Sequence, residues 1–169
     1  PPETAKFARV IAREFGLNVT RVRSVIPKSA QRDSRGCMLY SSDPDLCCEI
    51  NKVEPMNPVL MTNDVWINGI RADQSDSRKA LATHERTRYE CIRYHPMLTW
   101  SSREVFYYRK VYSLPEHPLE AQGYASIGCM PCTSPLNSSQ DDRGSRWYGT
   151  NKTECGLNTD LIVKSGESL

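Results

Sequence analysis

Val65-Trp-Ile-Asn-Gly-Ile70 followed directly by Arg71-Ala-Asp-Gln-Ser-Asp-Ser-Arg78 reads as a buried strand running out into a polar turn. Ligands of open α/β sheets collect at the carboxyl ends of strands, so Arg71 and Arg78 stand where an anion site is expected. A second strand is predicted over 88–94, ending at His95-Pro96. Helical patterns lie on either side. Phe7, Val10, Ile11 and Phe15 recur at helical spacing over 3–15, and Gly16 supplies a stop. Residues 98–112 give the clearest helix, with Thr99 or Ser101 as cap and Val105, Tyr108 and Val111 on one face. Alternation over 17–25 predicts a short strand. Trp66 and Trp100 are read as core. Helices alternating with strands give an α/β fold, a twisted sheet flanked by helices.

One domain spanning 1–169 is the natural count for this length. Its sheet-and-helix part is expected over 1–127, with a loop-rich region and a mobile tail over 128–169. Residues 28–36 form a polar connection and 114–128 a Pro- and Gly-punctuated loop. There is no apolar run of membrane-spanning length and no signal-like opening, which points to a cytoplasmic protein that uses no membrane. A formal charge of +2 and the lack of a basic-aromatic stripe argue against nucleic acid.

The cysteines carry the chemistry. Seven of them in an unsignalled chain favour metal or thiol chemistry over a disulfide framework. Four fall in two tight groups, Cys47-Cys48 and Cys129-Met-Pro-Cys132, a four-thiolate set suited to an iron–sulfur cluster or structural zinc. Asp43-Pro44-Asp45 can start a helix carrying the first pair, with Pro55 and Pro58 closing it. Neighbouring helical residues point about 100° apart, so two sulfurs can grip different corners of one centre. The vicinal arm is unlike the usual zinc spacing and tilts the reading towards a [4Fe–4S] cluster. Cys37 and Cys91 lack partners in sequence and are read as core thiols.

Cys155 lies near the C-terminus between Glu154 and Gly156. A nucleophilic thiol needs cations or a helix N-terminus to lower its pKa. Lys152 helps, Glu154 opposes, and neighbouring sequence leaves the matter open. A thiol on a mobile tail could attack in one position and meet a reductant in another. Lys52, Arg71, Arg78, Arg143 and Arg146 are the candidate anion ligands, since guanidinium forks match sulfate and phosphate oxygens. Trp147-Tyr148 is read as an anchor for the tail. His84, His95 and His117 have no partners at metal spacing and are read as structural or surface residues.

Cys47-Cys48 with Lys52-Val-Glu-Pro55, Trp66-Ile-Asn-Gly-Ile-Arg71 with Gln74-Ser75 and Ser77-Arg78, His117-Pro-Leu with Gln122-Gly-Tyr, Ile127-Gly-Cys-Met-Pro-Cys-Thr133, Asp142-Arg-Gly-Ser-Arg-Trp147 and Glu154-Cys-Gly-Leu157 together resemble the assimilatory adenylyl-sulfate (APS) reductases. These are relatives of the phosphoadenylyl-sulfate (PAPS) reductases. The resemblance implies the C-terminal part of an adenine-nucleotide alpha-hydrolase-like (PP-loop) domain. It implies reduction of adenylyl sulfate to sulfite and AMP in sulfate assimilation, with thioredoxin as reductant. In those terms Cys155 attacks the sulfur and carries an S-sulfocysteine. Lys52, Arg71, Arg78, Arg143 and Arg146 bind substrate, and Cys47, Cys48, Cys129 and Cys132 hold a [4Fe–4S] cluster. A homo-oligomer is compatible with it. The alternatives are a PAPS-specific reductase and a non-catalytic iron–sulfur or zinc module on the same scaffold.

Three departures stand out. The family's Ser-Gly-Gly-x-Asp-Ser-like phosphate loop and Leu-Asp-Thr-Gly-like stretch have no counterpart, so the 169 residues alone are expected to be inactive. Asn68 stands where Thr is usual. Asn158 stands where His is usual.

Overall fold

The computed structural model describes residues 1–136, 145–147, 150, 152–159 and 161. The chain forms two compact units, Pro1–Arg21 with Ser101–Asn151, and Val22–Trp100 with Lys152–Leu169.

The second unit contains the sheet. Strands β1 (Val65–Ile67), β2 (His84–Arg86) and β3 (Ile92–Tyr94) lie in the order β1-β3-β2. β1 is parallel to β3 and β2 antiparallel to it. This register puts Trp66, Arg93 and Glu85 in one row across the sheet, and neighbours in such a row touch. The Arg93 guanidinium stacks 4.6 Å from the Trp66 ring and lies 3.8 Å from Glu85. In the next row His84 stacks on Tyr94.

The expected buried strand is therefore an edge strand with one covered face. Val65 and Ile67 are exposed while Trp66 turns inward. Trp66, Met56, Tyr89 and Leu157 pack around a core of Val53, Leu60, Cys91 and Leu161. Cys91 is a core thiol, as expected, but Cys37 is exposed. A lone thiol on a polar loop has no packing to draw it inward.

The helix carrying the vicinal cysteines forms as predicted and then continues. Helices α1 (Pro2–Glu14), α2 (Leu39–Ser42), α3 (Pro44–Cys48) and α4 (Glu54–Met61) precede the sheet. Asp43 caps α3, its carboxylate accepting the Leu46 N–H at 2.9 Å. The prolines do not end the run. A π-helical turn at Glu49–Val53 joins α3 to α4, with Pro55 in the first turn of α4 and Pro58 inside it. A proline ring collides with the carbonyl four residues back, and widening the turn before Pro55 relieves that collision without breaking the helix. Helix α5 (Asp76–Lys79) follows the turn after β1.

In the first unit, α1 ends where the periodicity predicted, with Gly16 left-handed at φ +62°. The His117 ring packs edge-on against Phe7. Its Nδ1 accepts the Leu119 N–H, which leaves Nε2 as the donor to Thr4 Oγ1 at 3.0 Å. Helix α6 (Ser102–Val111) is capped by Ser101, which exchanges hydrogen bonds with Glu104. No α6 residue is buried, so the expected core face of Val105, Tyr108 and Val111 is only partly covered. No strand forms over 17–25; Leu17, Val19, Val22 and Val25 are exposed. Alternation supplies a strand pattern but not the partner backbone that a strand needs.

Candidate active site

Cys155 begins a 3-10 turn over Gly156–Asn158 in the second unit. Lys52, on the π-helical turn, donates from Nζ to Cys155 Sγ at 3.3 Å. A hydrogen bond from the Cys48 thiol is the largest influence and lowers the Cys155 pKa; burial opposes it, and Lys52 and the Leu157 N–H add to it. The balance brings Cys155 to about 5. The same contact pushes Cys48 upward, with burial adding and the Lys52 and Lys152 charges opposing. The two thiols titrate as a pair, with Cys155 the more acidic of the two. A partly exposed thiol beside the Lys52 ammonium and the Leu157 N–H has surroundings of the kind that favour a thiolate.

Glu154 does not act as its position in sequence suggests. Its carboxylate is 5% exposed and paired with Arg78, whose Nε and Nη2 donate at 2.7 and 3.0 Å. Glu154 Oε1 also accepts the Cys155 N–H at 2.8 Å and the Asn158 amide at 2.9 Å. Burial alone would raise this carboxyl, but Arg78, the Cys155 N–H and Asn158 hold it down at about 2. Its charge is spent on Arg78 rather than on opposing the thiolate. The side chain of Lys152 is 7% exposed and paired with Asp45.

Around this cluster runs a chain of buried polar groups. The Gln74 side-chain oxygen accepts from Arg78 and from the Arg71 N–H. Arg93 is fully buried and donates to Asn158. Burial lowers its pKa to about 10, with Glu85 opposing. With its amide oriented to satisfy both neighbours, Asn68 turns its oxygen to the Arg93 guanidinium, 2.6 Å from Nε, and its nitrogen to His95 Nδ1 at 2.6 Å. His95 Nε2 then donates to Glu85 at 3.0 Å. Burial lowers the His95 pKa, so its ring is neutral at pH 7. His95 is thus held at both ring nitrogens within the protein. Both departures from the family pattern, Asn68 and Asn158, bind Arg93. The sequence flagged them by mismatch but gave no hint of their common partner.

The other predicted anion ligands have distinct surroundings. Arg71 is paired with Asp73 at 3.0 Å. In the first unit the Arg146 guanidinium stacks on Trp147 at 4.5 Å and donates to Ser126. It lies so close over Gly128 that a Cβ there would collide with it. Arg143 lies outside the described residues.

Cys47 and Cys48 are each 5% exposed. Asn51 donates to Cys47 O at 2.7 Å and lies 3.6 Å from its Sγ, while exchanging amide bonds with Gln31. Cys129 and Cys132 flank Pro131 in a 3-10 turn, the Cys132 N–H donating to Cys129 O. Thr133 Oγ1 donates to the same carbonyl at 2.9 Å and accepts the Gly128 N–H. Among the described residues no three His, Cys, Asp or Glu side chains are grouped as a metal site. The donor chemistry of the two pairs nevertheless fits a thiolate-ligated cluster. All four are unbridged thiols, and the first pair has hydrogen-bond donors and cations beside its sulfurs.

Residues 1–135 match the family model of the phosphoadenosine phosphosulfate reductase domain. The chain belongs to this family. The match includes both cysteine pairs and stops short of Cys155. A Bacillus cereus protein named adenosine 5'-phosphosulfate reductase is 37% identical over 92% of the chain and 67% of its own length. One of the same name from a Chelativorans species is 40% identical over 92% of the chain and 63% of its own length. The crystal structure of a Candida auris PAPS reductase in a phosphate complex superposes with a TM-score of 0.63 at 24% identity, covering 79% of the chain and 66% of that one. This likeness shows a shared α/β fold, as expected for a PP-loop-type domain. Among the described residues no helix is long and apolar enough to cross a membrane.

Proposed function

We propose that this family member reduces adenylyl sulfate to sulfite and AMP, with Cys155 as nucleophile and thioredoxin as reductant. The observation that carries the reading is the Cys155 sulfur 3.3 Å from Lys52 Nζ, in a chain related to proteins named for this substrate. The Cys155 thiolate attacks the sulfur of adenylyl sulfate, forming an S–S bond and breaking the sulfur–oxygen bond to phosphate. The electron pair leaves with AMP. Lys52, Arg71, Arg143 and Arg146 grip the phosphosulfate oxygens and offset charge on the departing phosphate. Arg78 belongs to the proposed set, with its guanidinium engaged by Glu154 in the substrate-free chain. A thioredoxin thiolate then attacks the S-sulfocysteine at the Cys155 sulfur and expels sulfite. The second thioredoxin thiol resolves the mixed disulfide, so two thiols supply the two electrons.

Cys47, Cys48, Cys129 and Cys132 would hold a [4Fe–4S] cluster, which when bound supplies an electrostatic field for orienting the sulfate. Cytoplasmic sulfate assimilation is the proposed setting.

The test is incubation of the intact enzyme, with the family's phosphate loop included, with adenylyl sulfate without reductant, followed by mass analysis of the Cys155 peptide. One added sulfonate, lost in Cys155→Ser and released as sulfite by reduced thioredoxin, is expected. No adduct in the cluster-loaded protein would refute the reading. Adduct formation from PAPS alone would move it to the PAPS-specific reductases.

A further inference from the structure

We infer that Glu154 is a positioning residue: its buried pair with Arg78 latches the segment 154–158 in place and holds the Cys155 sulfur against Lys52. The inference rests on the reading of Cys155 as the nucleophile, but its geometry is independent of turnover.

Four hydrogen bonds converge on one carboxylate. Arg78 fills two of its acceptor positions, and the Cys155 N–H and the Asn158 amide share Oε1. Each partner does a separate task. Arg78 ties the carboxylate to α5 and is itself held by Gln74. The Cys155 N–H fixes the backbone of the thiol-bearing residue. Asn158 links the far end of the turn to Glu154, and through Arg93 to β3. Within the turn the Asn158 N–H donates to Cys155 O and the Thr159 N–H to Gly156 O, and Leu157 packs on the core. A 3-10 turn of three residues has poor hydrogen-bond geometry and is not stable alone. A buried two-point guanidinium–carboxylate grip is among the strongest contacts available to a short segment. The latch is therefore the contact that fixes the backbone of Cys155.

Hydrogen exchange on the full chain tests the latch without any substrate. Glu154→Gln keeps the shape but removes the charge. Its amides over 155–159 are expected to exchange roughly tenfold faster or more, with Ile92–Tyr94 as protected as before. If Glu154→Gln does not fold, the double variant Arg78→Gln/Glu154→Gln leaves no orphan buried charge and is read in the same way. Unchanged exchange over 155–159, or a rise no greater than that over 92–94, overturns the inference. A second measurement uses the enzyme: Glu154→Gln should lower kcat for adenylyl sulfate about tenfold or more while KM moves less than twofold. A KM-only effect overturns the positioning role. Failure of the wild-type protein to form the Cys155 adduct would instead strike the proposed function, leaving the exchange result to decide the latch.

Discussion

The two cysteine pairs are built by different means. Cys47 and Cys48 ride a capped helix that runs through a π-helical turn into the core, and both are 5% exposed. Cys129 and Cys132 sit half-buried on a proline turn held by Thr133 and by the stacked Arg146. A helix places adjacent sulfurs by its own geometry, whereas a loop needs side chains to hold each bend. The first pair should therefore tolerate change in its neighbours better than the second.

The largest test treats the pairs as one set. Serine at any one of positions 47, 48, 129 or 132 should abolish most of the bound iron in anaerobically prepared protein. Retention of iron by the Cys129→Ser or Cys132→Ser variant would separate the two pairs and leave the helix-borne one binding with other ligands. Next in size is Arg78→Ala. It strands the Glu154 carboxylate and should cost about 3–5 kcal/mol in denaturant unfolding; a loss below about 1 kcal/mol would mean that the pair is not buried in solution.

Acid acts on the same pair. The folded Glu154 value of about 2 lies below its ordinary 4.5. Its contribution, roughly 3 kcal/mol, is therefore complete above pH 4.5 and lost as pH falls from there towards 2. Glu154→Gln should flatten that part of the stability profile. The smallest effect falls on the loop. Gly128→Ala places a Cβ against the flexible end of the Arg146 side chain, which must move aside, and should cost about 1 kcal/mol or less. Iron loss without that destabilisation would show that Arg146 orients the turn rather than holding it together.

Much of this was legible in the chain. The Ser101 cap, the Gly16 stop and the helix start at Asp43 involve residues a few positions apart, and they form where the pattern puts them, the Ser101 cap gaining a reciprocal bond from Glu104. The unpaired segment 17–25 shows the limit, since a strand depends on a distant partner. The same limit explains the candidate site. Spacing picked out the four thiols, Cys155 and the cations as types. It assigned Glu154 the wrong electrostatic effect, because its partner Arg78 lies 76 residues away.

By itself the sequence determined which side chains could do chemistry and which short segments coil into helices, because both depend on residues close along the chain. Only the tertiary structure decided that Lys52 faces Cys155, that Arg78 neutralises Glu154, and that Asn68 and Asn158 share Arg93. Those pairings follow from packing and from the cost of burying a charge without a partner, which no local pattern encodes.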